Sequence, residues 1–131
     1  MAESGSEEVS RKWQYLDTVK TLTRQPCHHV HAKWGKQDDL VVLHAKDRFF
    51  VMEAWCSHLG GPLFKGDIED MKGKCYLMCP WHGYMFDVQT GVEPYIGLQQ
   101  KTFDVKIEDG CLYVDYKCAL SLKPYEKETG S

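Results

Sequence analysis

Apolar and polar residues alternate over short stretches of this chain, and turn-forming residues separate the stretches. The clearest example lies near the C-terminus, where residues 103–107 and 112–116 both alternate and Asp109-Gly110 stands between them. An Asp-Gly pair between two alternating stretches favours a tight turn between antiparallel strands. The pattern therefore predicts a β-hairpin over this part of the chain.

Shorter stretches of the same kind occur earlier in the chain. Apolar residues 40–43 and 49–52 flank Lys46-Asp47-Arg48, which predicts a second hairpin. Weaker strand candidates are found at 13–19, 30–34 and 75–78. No stretch keeps a helical period for more than one or two turns. The sequence thus predicts an all-β fold, a small antiparallel sandwich or barrel.

The polar stretches define the expected domain boundaries. Residues 1–10 are acidic and polar, which predicts a disordered N-terminal segment. Residues 35–39 and 66–74 are polar and are predicted to be connections. Residues 117–131 are predicted to form a polar C-terminal tail, so the folded domain is expected to span 11–116.

Composition narrows the class of protein. The 131 residues suit one domain, and 16 basic against 19 acidic residues give a net charge of −3, which does not favour a nucleic-acid partner. Residues 1–10 lack the basic start and apolar run of a secretory signal, and no stretch approaches the roughly 18 apolar residues that span a bilayer. We expect a cytoplasmic monomer without a membrane partner.

Two short stretches each combine one cysteine with one histidine, Cys56-Ser57-His58 and Cys79-Pro80-Trp81-His82. Two thiolates and two imidazoles can hold one tetrahedral zinc ion. They can also hold a two-iron, two-sulfide cluster, with the cysteines on one iron and the histidines on the other. The order Cys, His, Cys, His is unusual for a zinc finger and favours the cluster.

The residues that follow carry a resemblance to a known family. The two stretches continue as C-x-H-x-G-G-x-L, up to Leu63, and as C-P-x-H-G-x-x-F-D-x-x-T-G, up to Gly91. With these motifs the chain resembles the Rieske iron–sulfur family. The resemblance implies a Rieske fold, with a base domain and a cluster-binding subdomain at about 54–89. It implies one [2Fe-2S] cluster per chain, with four protein ligands: Cys56, His58, Cys79 and His82.

Departures from the family's respiratory members indicate which branch the chain resembles. Those members carry an additional cysteine pair, and the matching positions here are Gly61 and Trp81. They also place hydroxyl donors where this chain has Tyr84 and Phe86. Fewer donors to the cluster sulfurs imply a lower reduction potential. The chain is therefore similar to the family's soluble ferredoxins.

This resemblance implies an electron-transfer protein rather than a self-sufficient enzyme. It would carry one electron from a reductase to an acceptor such as an oxygenase, and both partners would dock on the apolar residues Leu59, Pro62 and Trp81 beside the cluster. A different class of function is a regulatory module whose affinity for a partner changes with the state of the same cluster.

The remaining cysteines and histidines have simpler interpretations. Cys27, Cys75, Cys111 and Cys118 are expected to be free thiols in a reducing compartment rather than disulfide partners. The run Cys27-His28-His29-Val30-His31 places His29 and His31 on one face of a strand. We interpret that face as an exposed polar surface that happens to contain histidine, rather than as a metal site.

Overall fold

β-Branched and aromatic residues, which favour a pleated backbone, occur in most of the short strands of this protein. In the computed structural model, which describes residues 11–125, these strands are joined by tight turns and one short helix, α1, at Val19–Leu22. The strands are β1 Trp13–Thr18, β2 Cys27–Ala32, β3 Leu40–Ala45, β4 Arg48–Glu53, β5 Asp67–Met71, β6 Lys74–Met78, β7 Met85–Asp87, β8 Thr102–Phe103, β9 Val105–Glu108, β10 Cys111–Asp115 and β11 Leu120–Ser121.

Within the described range, the strands form three antiparallel sheets. One has the order β1-β10-β9, the second β11-β2-β3-β4-β8, and the third β5-β6-β7. The predicted all-β class is therefore confirmed. The helical segments in residues 11–125 are too short to cross a bilayer.

Both predicted hairpins are present. Lys46 and Asp47 connect β3 to β4 with φ angles of 53° and 60°, and Asp109 and Gly110 connect β9 to β10 with φ angles of 52° and 77°. Two successive residues with positive φ match the right-handed twist of the flanking strands. These turns fix the register of β3 against β4 and of β9 against β10.

The five-stranded sheet separates two hydrophobic cores. Leu40 and Val42 of β3 pack into a core shared with β1 and β10, whereas Val41 and Leu43 pack on the opposite face. That second core also contains the predicted ligands Cys56 and Cys79. The cysteines are thus held against one face of the sheet.

The structure differs from two of the predicted connections and boundaries. Residues 66–74, predicted to be a polar connection, contain β5, which pairs with β6 at the edge of the third sheet. Beyond residue 116, β11 pairs with β2, and Cys118 and Leu120 are buried in the first core. Order therefore continues past the predicted boundary because these two side chains complete that core. The predicted disordered segment 1–10 and the end of the predicted tail, 126–131, lie outside the described residues.

Gly91 offers a test of the close backbone contact between Gly91 and Gln100. Gly91 and Gly110 have nearly equal φ angles of +79° and +77°, but a Cβ at Gly91 would overlap the carbonyl oxygen of Gln100, whereas a Cβ at Gly110 has nothing within 4 Å. We expect Gly110→Ala to cost about 1–2 kcal/mol from its backbone conformation alone. Gly91→Ala should lower the thermal unfolding midpoint clearly further, and equal losses would show that the Gln100 backbone moves aside freely.

Candidate metal centre

The first ligand loop, residues 56–61, is closed by its own backbone. The N–H of Cys56 donates to the carbonyl of Gly61 at 2.8 Å, and the N–H of Gly60 donates back to the carbonyl of Cys56 at 2.7 Å. Gly60 has a φ of +77°, a left-handed conformation that glycine adopts without steric cost. The loop therefore turns sharply directly after β4 and the short link at 54–55.

The second ligand loop, residues 79–84, repeats this closure. The N–H of Cys79 donates to the carbonyl of Tyr84 at 2.8 Å, and the N–H of Gly83 donates to the carbonyl of Cys79 at 3.0 Å. Gly83 has a φ of +74°. This loop connects β6 to β7, so the third sheet carries it in the way that β4 carries the first loop.

The two cysteines are buried together. Cys56 and Cys79 are 3% and 1% exposed, and the two thiols are within hydrogen-bonding reach of each other. Burial raises the pKa of the Cys56 thiol, while hydrogen bonds from the backbone N–H groups of His58 and Leu59 act in the opposite direction. A bound metal would displace the thiol protons, and these N–H groups would favour the resulting thiolate.

The two histidines lie at the surface, beside the buried thiols. The rings of His58 and His82 are exposed, their centroids are 5.1 Å apart, and their planes are perpendicular. The ring of Tyr84 lies 4.7 Å from that of His58. The structure thus brings the two sequence-predicted cysteines together and the two sequence-predicted histidines together, as a buried pair of sulfur donors and an exposed pair of nitrogen donors.

Gly61 leaves the space that such a group needs. A Cβ at this position would lie 2.8 Å from Sγ of Cys79 and 3.1 Å from Cδ2 of Trp81. Gly61 and Trp81, the two positions where no disulfide is expected, are therefore neighbours in the fold. The donor set and the absence of a side chain at Gly61 fit a two-iron, two-sulfide group.

Gln100 is a supporting residue that the sequence analysis did not identify. It is fully buried, and its Oε1 accepts from the N–H of Ser57 at 2.6 Å. Its Nε2 donates to the carbonyls of Glu53 and Trp55 at 3.2 and 3.0 Å. One amide side chain therefore fixes the backbone on both sides of Cys56. The sequence gives no signal for this role, since Gln100 follows another glutamine in a polar stretch.

The same loop closure occurs twice more along the chain, in residues 87–92 and 93–98. In each case the first N–H donates to the last carbonyl, at 2.9 and 2.8 Å. Gly91 and Gly97, with φ of +79°, donate back to the first carbonyl at 2.7 and 3.0 Å. Four loops of one geometry thus lie between residues 56 and 98.

In these two additional loops a carboxylate accepts hydrogen bonds from the loop's N–H groups. The carboxylate of Asp87 accepts from the N–H of Gln89 at 2.8 Å. The carboxylate of Glu93 accepts from the N–H groups of Tyr95 and Ile96 at 2.9 and 2.7 Å. The positions of these donors, two and three residues after the acceptor, are the same as those of the donors to the Cys56 sulfur.

Comparison with known proteins identifies the family of this chain. The family model described as soluble Rieske-type ferredoxin matches residues 17–101. The human Rieske domain-containing protein is 31% identical over 104 residues, which cover 67% of this chain and 64% of the relative. The chain therefore spans slightly less than two-thirds of that relative's length.

Two solved structures are similar in fold. The ferredoxin of Sphingomonas yanoikuyae B1 is 27% identical with a TM-score of 0.63, covering 81% of this chain and 100% of that one. A complex of reduced oxygenase and oxidized ferredoxin in carbazole 1,9a-dioxygenase gives 24% identity and a TM-score of 0.66 over 79% of this chain and 92% of that one. At that identity the second likeness concerns the fold alone.

Replacing Gln100 tests how much the first ligand loop depends on it. Gln100→Leu removes three hydrogen bonds and leaves the Ser57 N–H and two carbonyls unsatisfied, which should cost about 1–3 kcal/mol. We expect fewer iron and acid-labile sulfide atoms per chain and faster bleaching of the visible absorbance on warming. Gln99→Leu changes an exposed neighbouring position, so this variant should keep the iron and sulfide content and the bleaching rate of the unaltered protein. Equal retention by the two variants would remove Gln100 from this role.

Proposed function

Because the chain belongs to the soluble Rieske-type ferredoxin family, we propose that it carries single electrons from a reductase to an acceptor protein. Membership of this family implies a [2Fe-2S] cluster as the cofactor. When bound, such a cluster supplies a one-electron redox couple. We propose both this electron-carrier activity of the whole protein and its two partners, the reductase and the acceptor.

We assign the cluster ligands to the four residues of the metal centre. Cys56 and Cys79 would hold the inner iron through their sulfurs, and His58 and His82 would hold the outer iron. Neutral imidazoles donate less charge than thiolates, so the outer side is expected to accept the electron more readily. Gly61 keeps space free beside Cys79, and Gln100 keeps the first loop in position.

The observation that carries the proposal is the difference in exposure between the two donor pairs. The cysteines lie in the second core, while both imidazoles are exposed. A partner that touches the surface near His58 and His82 would therefore reach the outer side of the centre directly. This arrangement favours exchange of electrons between proteins over chemistry on an enclosed small substrate.

Each exposed imidazole has an exposed apolar neighbour in the sequence. Leu59 and Trp81 are 59% and 58% exposed. Trp81 and Pro62 also line an open cavity of about 590 Å³ beside the first ligand loop. Exposed apolar groups around a redox centre suit transient docking of a partner. We propose an oxygenase as the acceptor, the kind of protein that the carbazole 1,9a-dioxygenase complex pairs with its ferredoxin.

The cysteines support a reducing location. The four outside the ligand loops, which lie within the described residues, form no disulfide: Cys27, Cys75, Cys111 and Cys118. Burial raises the pKa of the Cys27 thiol to about 11, so this thiol stays protonated and unreactive at neutral pH. We place the protein in the cytoplasm, where thiols remain reduced.

Leu59→Asp tests the docking surface. The substitution puts a charge beside the imidazoles, so reduction by NADH with a flavin-dependent ferredoxin reductase should slow at least tenfold, whereas reduction by dithionite should stay fast. Ile107→Asp is a matched control because Ile107 is 55% exposed, like Leu59. Ile107 lies on β9, in a sheet that carries neither ligand loop. This control should react like the unaltered protein in stopped-flow measurements.

The two variants together decide between docking surfaces. Equal rates for Leu59→Asp and the unaltered protein would place the docking surface elsewhere. A slow reaction of Ile107→Asp would point to net charge rather than to the surface around the imidazoles. Visible spectra of both variants must match that of the unaltered protein before rates are compared.

The reduction potential should lie towards the low end of the Rieske range of about −150 to +300 mV. Phe86 is buried without a hydroxyl, and the ring of Tyr84 lies against His58 on the outer side. Tyr84→Phe should therefore leave the midpoint unchanged in voltammetry at neutral pH. A midpoint well above zero, or a clear drop in Tyr84→Phe, would show that other donors to the sulfurs dominate.

A further inference from the structure

A second group of metal-binding side chains lies outside the ligand loops. His29 and His31, interpreted above as an exposed polar face, are joined by Asp39 from the segment before β3. We propose that His29, His31 and Asp39 form a second metal site, which takes a zinc-class divalent transition-metal ion. This site is separate from the [2Fe-2S] centre, and the proposal does not depend on the function assigned to that centre.

The backbone places the three residues together. His29 and His31 are alternate residues of β2 and share a face, with ring centroids 3.9 Å apart. Val30 pairs with Leu40 across β2 and β3, so Asp39, one residue earlier, continues that register opposite His31. Strand pairing therefore brings the carboxylate to the two imidazoles.

The three ligand atoms lie close enough together to bind one ion after small shifts. Nε2 of His29 is 2.7 Å from Oδ2 of Asp39, and Nδ1 of His31 is 3.8 Å from the same oxygen. One ligand atom from each residue lies within 4.8 Å of the others. Small rotations of the side chains would open the His29–Asp39 contact and direct all three atoms to a common centre.

The carboxylate is held in place by the backbone. Asp39 is only 4% exposed, and its Oδ1 accepts from the N–H of Ala32 at 2.9 Å. That bond occupies one oxygen and leaves Oδ2 directed at the histidines. A fixed outer partner of this kind is typical of metal-ligating carboxylates.

The His29 ring is also held in place. It stacks on Phe64 at 3.8 Å with planes 10° apart, and its edge meets Trp55 at 5.9 Å. Burial and the neighbouring His29 lower the pKa of His31, which outweighs the opposite effect of Asp39. A lowered pKa favours the neutral imidazole, the form that binds metal.

The site has room for further ligands on its outer side. The three residues line an open cavity of about 400 Å³, in which water could complete the coordination. Lys33 and Lys36 also line it and oppose a cation, although the Lys36 ammonium lies 5.5 Å over the Trp55 ring. The carboxylate is the charge in direct contact with the ligand position.

The donor types select the class of metal. Two imidazole nitrogens and one carboxylate oxygen with an open position form a common zinc arrangement. Magnesium and calcium prefer sites built of oxygen. Among divalent first-row metals, such a site binds zinc more tightly than manganese or ferrous iron. A hydrogen-bonded trio that binds no metal is the alternative.

Zinc titration of the cluster-loaded protein separates these two cases. In isothermal titration calorimetry at neutral pH we expect one zinc per chain. His31→Gln should weaken this binding at least tenfold. His44→Gln is the matched control, since His44 is a half-buried histidine on β3 that packs against Phe49, and it should bind zinc like the unaltered protein. The visible spectrum before and after titration must show that iron has not been displaced.

A second variant tests the carboxylate. Asp39→Asn keeps an oxygen for the Ala32 N–H but removes the negative charge, so it should also lose zinc. If this variant does not fold, His31→Gln still decides the matter. Failure of the unaltered protein to bind zinc, or equal affinity in His31→Gln, would overturn the proposal. In the latter case the zinc would lie on other side chains of the protein.

Discussion

Burial of two neighbouring thiols is the constraint on which the rest of this structure depends. Cys56 and Cys79 lie in a hydrophobic core, where an ionised group is unfavourable unless hydrogen bonds and a metal compensate it. The backbone N–H groups of the first loop supply part of that compensation. The five-stranded sheet supplies the core itself, because β3 and β4 present buried side chains on the face towards the cysteines.

The loops around the cysteines are held by packing and hydrogen bonds rather than by a covalent link. Trp81 lies so near Gly61 that a Cβ there would be crowded, and Gln100 ties the backbone on both sides of Cys56. A hydrogen bond can break and re-form, whereas a disulfide cannot do so without a redox reaction. The loops of this chain therefore keep their geometry independently of the thiol redox state around them.

Much of the fold could be predicted because hairpin turns and hydrophobic alternation are local signals. β3 has four apolar residues in a row, Leu40–Leu43, since both faces of its sheet are buried. β5 escaped prediction because it is an edge strand rich in acidic residues, and backbone pairing with β6 holds it in place. The strand at 120–121 was missed because two residues are too few to show an alternation of apolar and polar positions.

The candidate site shows the same division. Its cysteines and histidines could be predicted, because residue type and spacing are visible in the sequence. Gln100 and Asp39 could not, since each acts on residues brought close by strand pairing and lies in a stretch that resembles a loop. Long-range register, rather than local pattern, places these two side chains.

The repeated loop at 56, 79, 87 and 93 has a consequence for how a metal centre of this kind can arise. The same backbone turn, closed by the same hydrogen bonds, presents N–H groups to a thiol in one case and to carboxylates in two others. The turn is therefore a general receptor for an anionic side chain of its own first residue. With a cysteine as its first residue the turn offers a soft metal ligand, whereas with an aspartate or glutamate it only closes a loop. A single substitution can therefore add or remove a metal ligand while the backbone of the turn stays the same.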